Sequence, residues 1–231
     1  MNFEGVVVLV TGASSDVGKT LCEILEKYGA TVIGLYHKHK QKSNKIEYLS
    51  CDITKEKEVS KIVNYIQNKY HKLDVLINCA ALALDDDIYN KSAKDFLDVL
   101  NVNVVGPFLT TKYASEIMDS GVIINISSTD GIDTYTPISM DYSSSKAALI
   151  NLTKNIALRF PKLKVCALCP MWINTESVME MDPKYLKEEM DKHNQYELLR
   201  KEDVALKIIE MIINNDDYIT GDIVRMEKNY E

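Results

Sequence analysis

Long apolar runs are missing from this 231-residue sequence, and no stretch reaches the roughly 18 residues that a membrane-spanning helix needs. Basic residues are also in deficit. With 27 Lys and Arg against 34 Asp and Glu, the net charge is −7 and the isoelectric point lies near 5.2. That balance argues against a nucleic-acid or anionic-membrane partner. There are no internal repeats, low-complexity tracts or linker-like stretches, so one domain over residues 1–231 is expected. Met1-Asn2-Phe3-Glu4-Gly5 lacks the basic region of a signal peptide. The five cysteines are odd in number and scattered, which fits a reducing cytoplasm rather than a disulfide framework. His37, His39, His71 and His193 show no metal-ligand spacing, and no metal is expected. Cys166 and Cys169 form a C-x-x-C, but on a predicted strand, where positions three apart face opposite sides.

What the chain does have is alternation. Val6–Val10 is a short β-branched run, and a helical pattern follows from Val17 to Tyr28, closed by Gly29. Thr31–Tyr36, Ile46–Leu49, Asp74–Asn78, Val122–Ile126, Leu163–Leu168 and Ile223–Met226 read as further strands. Between them, Thr54–Tyr70 is amphipathic, with Val59, Ile62, Val63 and Ile66 on one face, and Asp203–Ile213 is another helix. Repeated βα units predict an α/β fold, doubly wound, with a mostly seven-stranded parallel sheet between two helical layers.

Two stretches carry chemistry. Thr11-Gly12-Ala13-Ser14-Ser15-Asp16-Val17-Gly18 joins the first strand to the first helix, where free amides and the helix dipole attract a pyrophosphate. Gly12 allows the tight turn, and Gly18 allows the helix to approach the sheet. Farther on, Tyr142 and Lys146 lie four residues apart, one above the other on a helix. A cation one turn away favours the tyrosine anion. Ser127 and Ser128 stand at the end of the apolar run Val122–Ile126. Pro107 cannot donate the helical hydrogen bond to the Asn103 carbonyl, which is then free to hold a water.

Together with Cys51-Asp52, Asn78-Cys79-Ala80-Ala81, Asn103-Val104-Val105-Gly106, Pro170 with Thr175, and Tyr218-Ile219-Thr220-Gly221, these motifs resemble the short-chain dehydrogenase/reductase family over nearly the whole chain. Within it the sequence looks most like 3-oxoacyl-[acyl-carrier-protein] reductase-type members. The resemblance implies a Rossmann fold and reduction of a carbonyl to an alcohol, of a β-keto thioester in that type. The runner-up is another small carbonyl or alcohol. Tyr142 would be the general acid, Lys146 would lower its pKa and hold the nicotinamide ribose, Ser128 would bond the substrate oxygen, and Asn103 would complete a proton relay. The cofactor would lie on Thr11, Gly12, Ser14, Ser15, Asp16, Val17 and Gly18, on His37 and Lys38, and on Asp52 and Ile53. Asn78, Cys79 and Ala80, then Pro170, Ile173 and Thr175, with Tyr142 and Lys146, would complete its site. No carboxylate stands in Tyr36-His37-Lys38-His39-Lys40, which points to NADP(H), with NAD(H) as the other option.

Several residues depart from the family pattern. Asp16 replaces a glycine next to the pyrophosphate, Ala81 replaces the last glycine of NNAG, and Met171 replaces the glycine after Pro170. Glu227-Lys228-Asn229 replaces an acidic-Gly-Gly ending. Asp16 and Met171 motivate the alternative of a non-catalytic NADP(H)-binding sensor. Residues 172–199, with Met179, Met181 and Met190, are expected to form a lid over an apolar substrate, and Asp85-Asp86-Asp87 a solvated loop. Possible partners are an acyl-thioester or small-molecule substrate and acyl carrier protein. The resemblance implies a homodimer or homotetramer, paired through two long helices, Asn90–Met118 and Tyr142–Phe160, and through the last helix and strand.

Overall fold

The computed structural model describes residues 2–228. Met1 and Asn229, the last residue of the altered C-terminal triplet, lie outside that range. Five β-branched or leucine-rich runs each fill four to eight residues with buried side chains, and they pair as parallel strands. In chain order the strands are β1 (Val7–Thr11), β2 (Thr31–Tyr36), β3 (Glu47–Ser50), β4 (Val75–Asn78), β5 (Gly121–Ile126) and β6 (Leu163–Pro170). A short β7 (Ile173–Asn174) and β8 (Leu199–Arg200) precede β9 (Ile223–Met226). The main sheet has seven strands in the order β3-β2-β1-β4-β5-β6-β9, all parallel. The order reverses between β1 and β4, and that crevice at the carboxyl ends is where such sheets bind ligands.

Two cores flank the sheet. On one face α1 (Asp16–Lys27) buries Leu21, Cys22 and Leu25, and α8 (Lys201–Ile213) buries Val204, Ile208 and Ile209 beside them. On the other face lie α2 (Glu56–Tyr70), α4 (Gly106–Ala114) and α5 (Met140–Arg159). Each apolar side chain so buried contributes about 1.5–3 kcal/mol. A buried polar bridge holds the middle of the sheet. Asn78 Nδ2 donates to Asn125 Oδ1 at 2.8 Å, and Asn125 Nδ2 donates to Thr153 on α5 at 2.9 Å.

One expectation changes and another gains detail. The single helix predicted over Asn90–Met118 is α3 (Ala93–Leu100), one π-helical turn over Asn101–Val105, and then α4. Gly106 N bonds to the Asn101 carbonyl five residues back, and Pro107, with no N–H, sits where the ladder changes pitch. Residues 172–199, expected as a lid, contain regular structure of their own. They hold α6 (Glu176–Met179) and α7 (Pro183–Lys192), and they begin and end on the parallel pair Ile173–Leu199 and Asn174–Arg200. Gln195, buried, closes that root: its amide accepts from Trp172 N and donates to the carbonyls of Trp172 and Glu197.

Candidate active site

The site grows from the carboxyl ends of β1, β4, β5 and β6. Gly12 has φ +66°, and a Cβ there would stand 2.6 Å from Ala80 Cα, so the β1–α1 turn lies flush on the end of β4. Gly18 meets the Gly12 carbonyl as closely. Thr11 fixes the same junction, its Oγ1 accepting from the amides of Cys79 and Ala80 at 3.1 Å. Ser15 caps α1, its Oγ accepting from Gly18 N at 3.2 Å. Ser14, Ser15, Asp16 and Val17 then line the mouth of a cavity of about 590 Å³.

Ser128, Tyr142 and Lys146 meet in the same cavity. Ser128 follows β5, and the 3₁₀ turn behind it packs on α5. A Cβ on Gly131 would lie 2.6 Å from the Lys146 carbonyl carbon. Lys146 is 1% exposed, donates to the Ile126 carbonyl at 2.8 Å, and stands 5.3 Å from the Tyr142 ring centroid. Burial pulls the Lys146 ammonium down from the ordinary 10.5 to about 8. Burial also pushes the Tyr142 phenol well above the ordinary tyrosine value; the Asp130 carboxylate reinforces this and Ser128 opposes it. The phenol is therefore held protonated at neutral pH, the form a general acid requires. Desolvation dominates the shift, and Ser128 is the group that opposes it.

The other residues singled out from sequence fall into two groups. Cys79, Pro170, Ile173 and Thr175 line the cavity. Burial pushes the Cys79 thiol up to about 11, so it is an inert wall. Asn78 and Ala80 serve the sheet junction, and buried Ile53 packs where a Cβ on Gly106 would go. His37 and Lys38 are exposed beyond β2, His37 Nε2 being 4.0 Å from Asp52. Burial alone would raise the Asp52 carboxyl, but the Thr54 hydroxyl and amide, with His37, bring it below the usual range. Asn103 is fully buried, and its side chain bridges rather than reacts. It accepts from Leu82 N at 2.8 Å, and donates to the Leu82 carbonyl and Ser145 Oγ at 2.9 Å. Met171 is buried against the core and lines the cavity.

Asp16 has a definite role in this geometry. Its Oδ2 accepts from Glu176 N at 2.7 Å, and its Oδ1 lies 3.4 Å from Lys201 Nζ. The carboxylate thus joins the phosphate-type turn to the first residue of α6. Replacing Asp16 by Gly is expected to tighten dinucleotide binding about three- to tenfold by removing a like charge. It should also lower stability by about 1 kcal/mol through loss of the dipole and loop contacts. Fluorescence titration with NADPH checks the first effect; a weaker Kd would show that the Asp16–Glu176 contact matters more than the charge.

The far wall adds to the expectations. Asp85–Asp87 is an exposed loop as expected, and Asp85 also lines the cavity, where Ser139 Oγ donates to it at 2.6 Å. Lys91 anchors that loop by donating to Asp141 Oδ1 at 2.6 Å and to the Leu84 carbonyl. Of the three lid methionines only Met181 lines the cavity, while Met179 is 60% exposed. The wall also includes Asp130, Thr134, Trp172 and His193, none of them singled out as site residues from sequence. Asp130, two residues past Ser128, was the one with a positional signal. Among the described residues no cluster of three or more His, Cys, Asp or Glu could hold a metal.

A Gly-bearing turn at the switch point and a Ser–Tyr–Lys cluster above the next strands define a dinucleotide-dependent oxidoreductase of the Rossmann type. The chain belongs to the short chain dehydrogenase family, whose profile matches residues 6–186. It is 32% identical to an uncharacterized oxidoreductase of Thermotoga maritima, over 98% of both chains. It is 28% identical to the 3-oxoacyl-[acyl-carrier-protein] reductase of that organism, again over 98% of both. Among solved structures, the aldohexose dehydrogenase of Thermoplasma acidophilum superposes with a TM-score of 0.88 at 27% identity, covering 98% of this chain and 94% of that one. Members of this family act with a nicotinamide dinucleotide, NAD(H) or NADP(H), and the Gly12–Gly18 turn leaves room for one.

Proposed function

We propose that this protein interconverts a small carbonyl compound and its alcohol, with NADP(H) preferred over NAD(H). The observation that carries this reading is the convergence of Ser128, Tyr142 and Lys146 on one cavity that also opens onto the first βα turn. When bound, the dinucleotide supplies or accepts the hydride. The protein's own residues do the rest. Ser128 donates to the carbonyl oxygen and Tyr142 protonates it as negative charge develops there. Lys146, fixed by Ile126, keeps positive charge beneath the phenol and holds the ribose. Asn103 keeps Leu82 and α5 in register, and its carbonyl is our choice for the water that returns protons to Lys146. Thr11 through Gly18, Asp52, Ile53 and Asn78 through Ala80 position the dinucleotide.

The NADP(H) preference is supported by exposed His37 and Lys38 after β2, with no carboxylate among residues 36–40. NADPH should bind at least tenfold more tightly than NADH, and Lys38→Glu should erase most of that ratio. Equal Kd values for the two cofactors in the wild type would refute it. The second reading, a 3-oxoacyl-[acyl-carrier-protein] reductase, is favoured by the relative that matches over 98% of both chains. An acetoacetyl thioester assay with NADPH tests it directly. Assembly through the helical segment 90–118 and α5 is supported by exposed Leu97, Val105, Phe108 and Leu158, and cytoplasmic residence by five free, buried cysteines. Among the described residues no helix is long and apolar enough to cross a membrane.

A further inference from the structure

The cavity carries more acidic than basic side chains. Four carboxylates line the cavity (Asp16, Asp85, Asp130 and Glu176), against a single lysine, Lys146, whose ammonium is already given to the Ile126 carbonyl. Asp16 and Glu176 belong to the cofactor end, as their mutual contact shows. Asp85 and Asp130 belong to the substrate end, close enough to Tyr142 that both push its phenol up.

These two carboxylates are held as acceptors. Ser139 donates to Asp85 Oδ1 at 2.6 Å, and Thr134 donates to Asp130 Oδ1 at 2.7 Å. One hydroxyl contact leaves most of the acceptor capacity of each carboxylate unspent, since an ionised carboxylate offers about four lone-pair directions. His193 closes the same wall from the end of α7. Behind it Glu189, 8% exposed, lies 3.6 Å from His193 Nε2, and neither facing atom has a hydrogen-bond partner. The two carboxylates with capacity to spare come from separate segments, the loop after β4 and the turn after Ser128. An ammonium would draw on one point of that wall. A molecule with several hydroxyls spread over its frame would draw on all of it.

We infer that the substrate is a neutral polyhydroxylated alcohol or carbonyl compound, a sugar or cyclitol, whose hydroxyls beyond the reacting carbon donate to Asp85 and Asp130. This rests on the reading of Tyr142 as the group at the reacting oxygen. In the oxidising direction the alcohol carbon gives a hydride to the oxidised dinucleotide, and its hydroxyl proton passes to Tyr142 as the phenol releases its own proton, by way of Lys146, to solvent. One carbonyl and one reduced dinucleotide form per turnover. The neutral acyl end of a β-keto thioester brings acceptors rather than hydroxyl donors to Asp85 and Asp130, and leaves those carboxylates unpaired.

The test uses the wild-type protein with NADP⁺ and NAD⁺ and compares alcohols of matched size. Cyclohexanol carries one hydroxyl, 2-aminocyclohexanol a cation, and D-glucose, D-glucitol and myo-inositol several hydroxyls; 3-hydroxybutyryl-CoA is the thioester. The best polyol should exceed cyclohexanol about 100-fold in kcat/KM, and Asp130→Asn or Asp85→Asn should each shrink that ratio at least tenfold. Reading a ratio separates lost recognition from poor folding, which lowers both rates. Trp172, the sole tryptophan, lines the cavity, and its fluorescence reports polyol binding without turnover, in the wild type and in Tyr142→Phe. Turnover that favours cyclohexanol, the amino alcohol or the thioester overturns the inference and leaves the oxidoreductase reading standing. Polyol binding with no turnover of any alcohol overturns the inference together with that reading; neither binding nor turnover of polyols removes the inference alone when another alcohol is turned over.

Discussion

Tyr142→Phe is expected to lose about 10²–10⁴-fold in turnover, the range that a positioned proton donor contributes, while NADPH affinity changes by less than about threefold. The asymmetry follows from the geometry. The phenol is buried and held protonated by desolvation and by Asp130, so its one irreplaceable service is to give a proton to an oxygen that gains charge in the transition state. The ring itself, stacked 5.3 Å from Lys146 Nζ, is kept by phenylalanine. Steady-state kinetics on the best substrate, paired with a fluorescence titration of NADPH, separates the two effects. Turnover within a factor of three of wild type would remove Tyr142 from the chemistry.

Lys146→Met is expected to abolish activity without destabilising the protein at neutral pH. A buried ammonium whose pKa falls from 10.5 to about 8 represents a cost of about 3 kcal/mol, taking 1.36 kcal/mol per unit over the difference of the two values. Methionine removes that cost but leaves the Ile126 carbonyl without its donor, a loss of about 1–3 kcal/mol. The two terms nearly cancel, so the midpoint of thermal unfolding at pH 7 should match or slightly exceed wild type. The sign with pH is definite. The folded pKa is depressed, so the unfolded chain binds more protons between pH 8 and 10.5, and wild-type stability from this group rises through that window. Whatever advantage Lys146→Met has at pH 7 should therefore shrink, and reverse, by pH 10.5. A constant offset across that range would show that Lys146 keeps its ordinary pKa and stays charged when buried.

The sheet was legible because each strand that builds it is a short apolar run bounded by a turn, and parallel strands buried on both faces must read that way. Helix α1 was legible for the same reason at a different period, with Leu21, Leu25 and the closing Gly29 in phase. What sequence could not show was a change of pitch inside one apolar pattern. Residues 90–118 remain helical in periodicity through the turn at Asn101–Val105, and only Pro107 marked the place. The lid helices escaped for the opposite reason. Pro183–Lys192 is mostly charged, with Leu186 and Glu189 as its buried residues, so it lacks the apolar stripe that identifies a helix.

Much of the reactive centre was readable because its residues lie on regular elements. Tyr142 and Lys146 share α5, and their spacing alone sets them on one face. The substrate wall was not, because Asp85 and Asp130 reach the cavity through turns whose direction depends on Lys91, Ser139 and Thr134. The acidic triplet is solvent-facing, as it reads, and that Asp85 also edges the cavity depends on partners distant in sequence. Asn103 shows a third case: the residue was visible, but its buried side chain bonds to Leu82 and Ser145, so part of its importance is mechanical.

The contact of Gly131 with the backbone of Lys146 has a bearing on how this enzyme can change. The gap between the loop that carries Ser128 and the helix that carries Tyr142 and Lys146 is set there by two main chains in touch. Repacking of neighbouring side chains does not enter into it. A saturation scan of the chain should therefore find broad latitude in the wall that chooses the substrate, at Asp85, Asp130 and His193, and almost none at residue 131. New specificities can arise by exchanging that wall while the spacing of the reacting groups stays as it is.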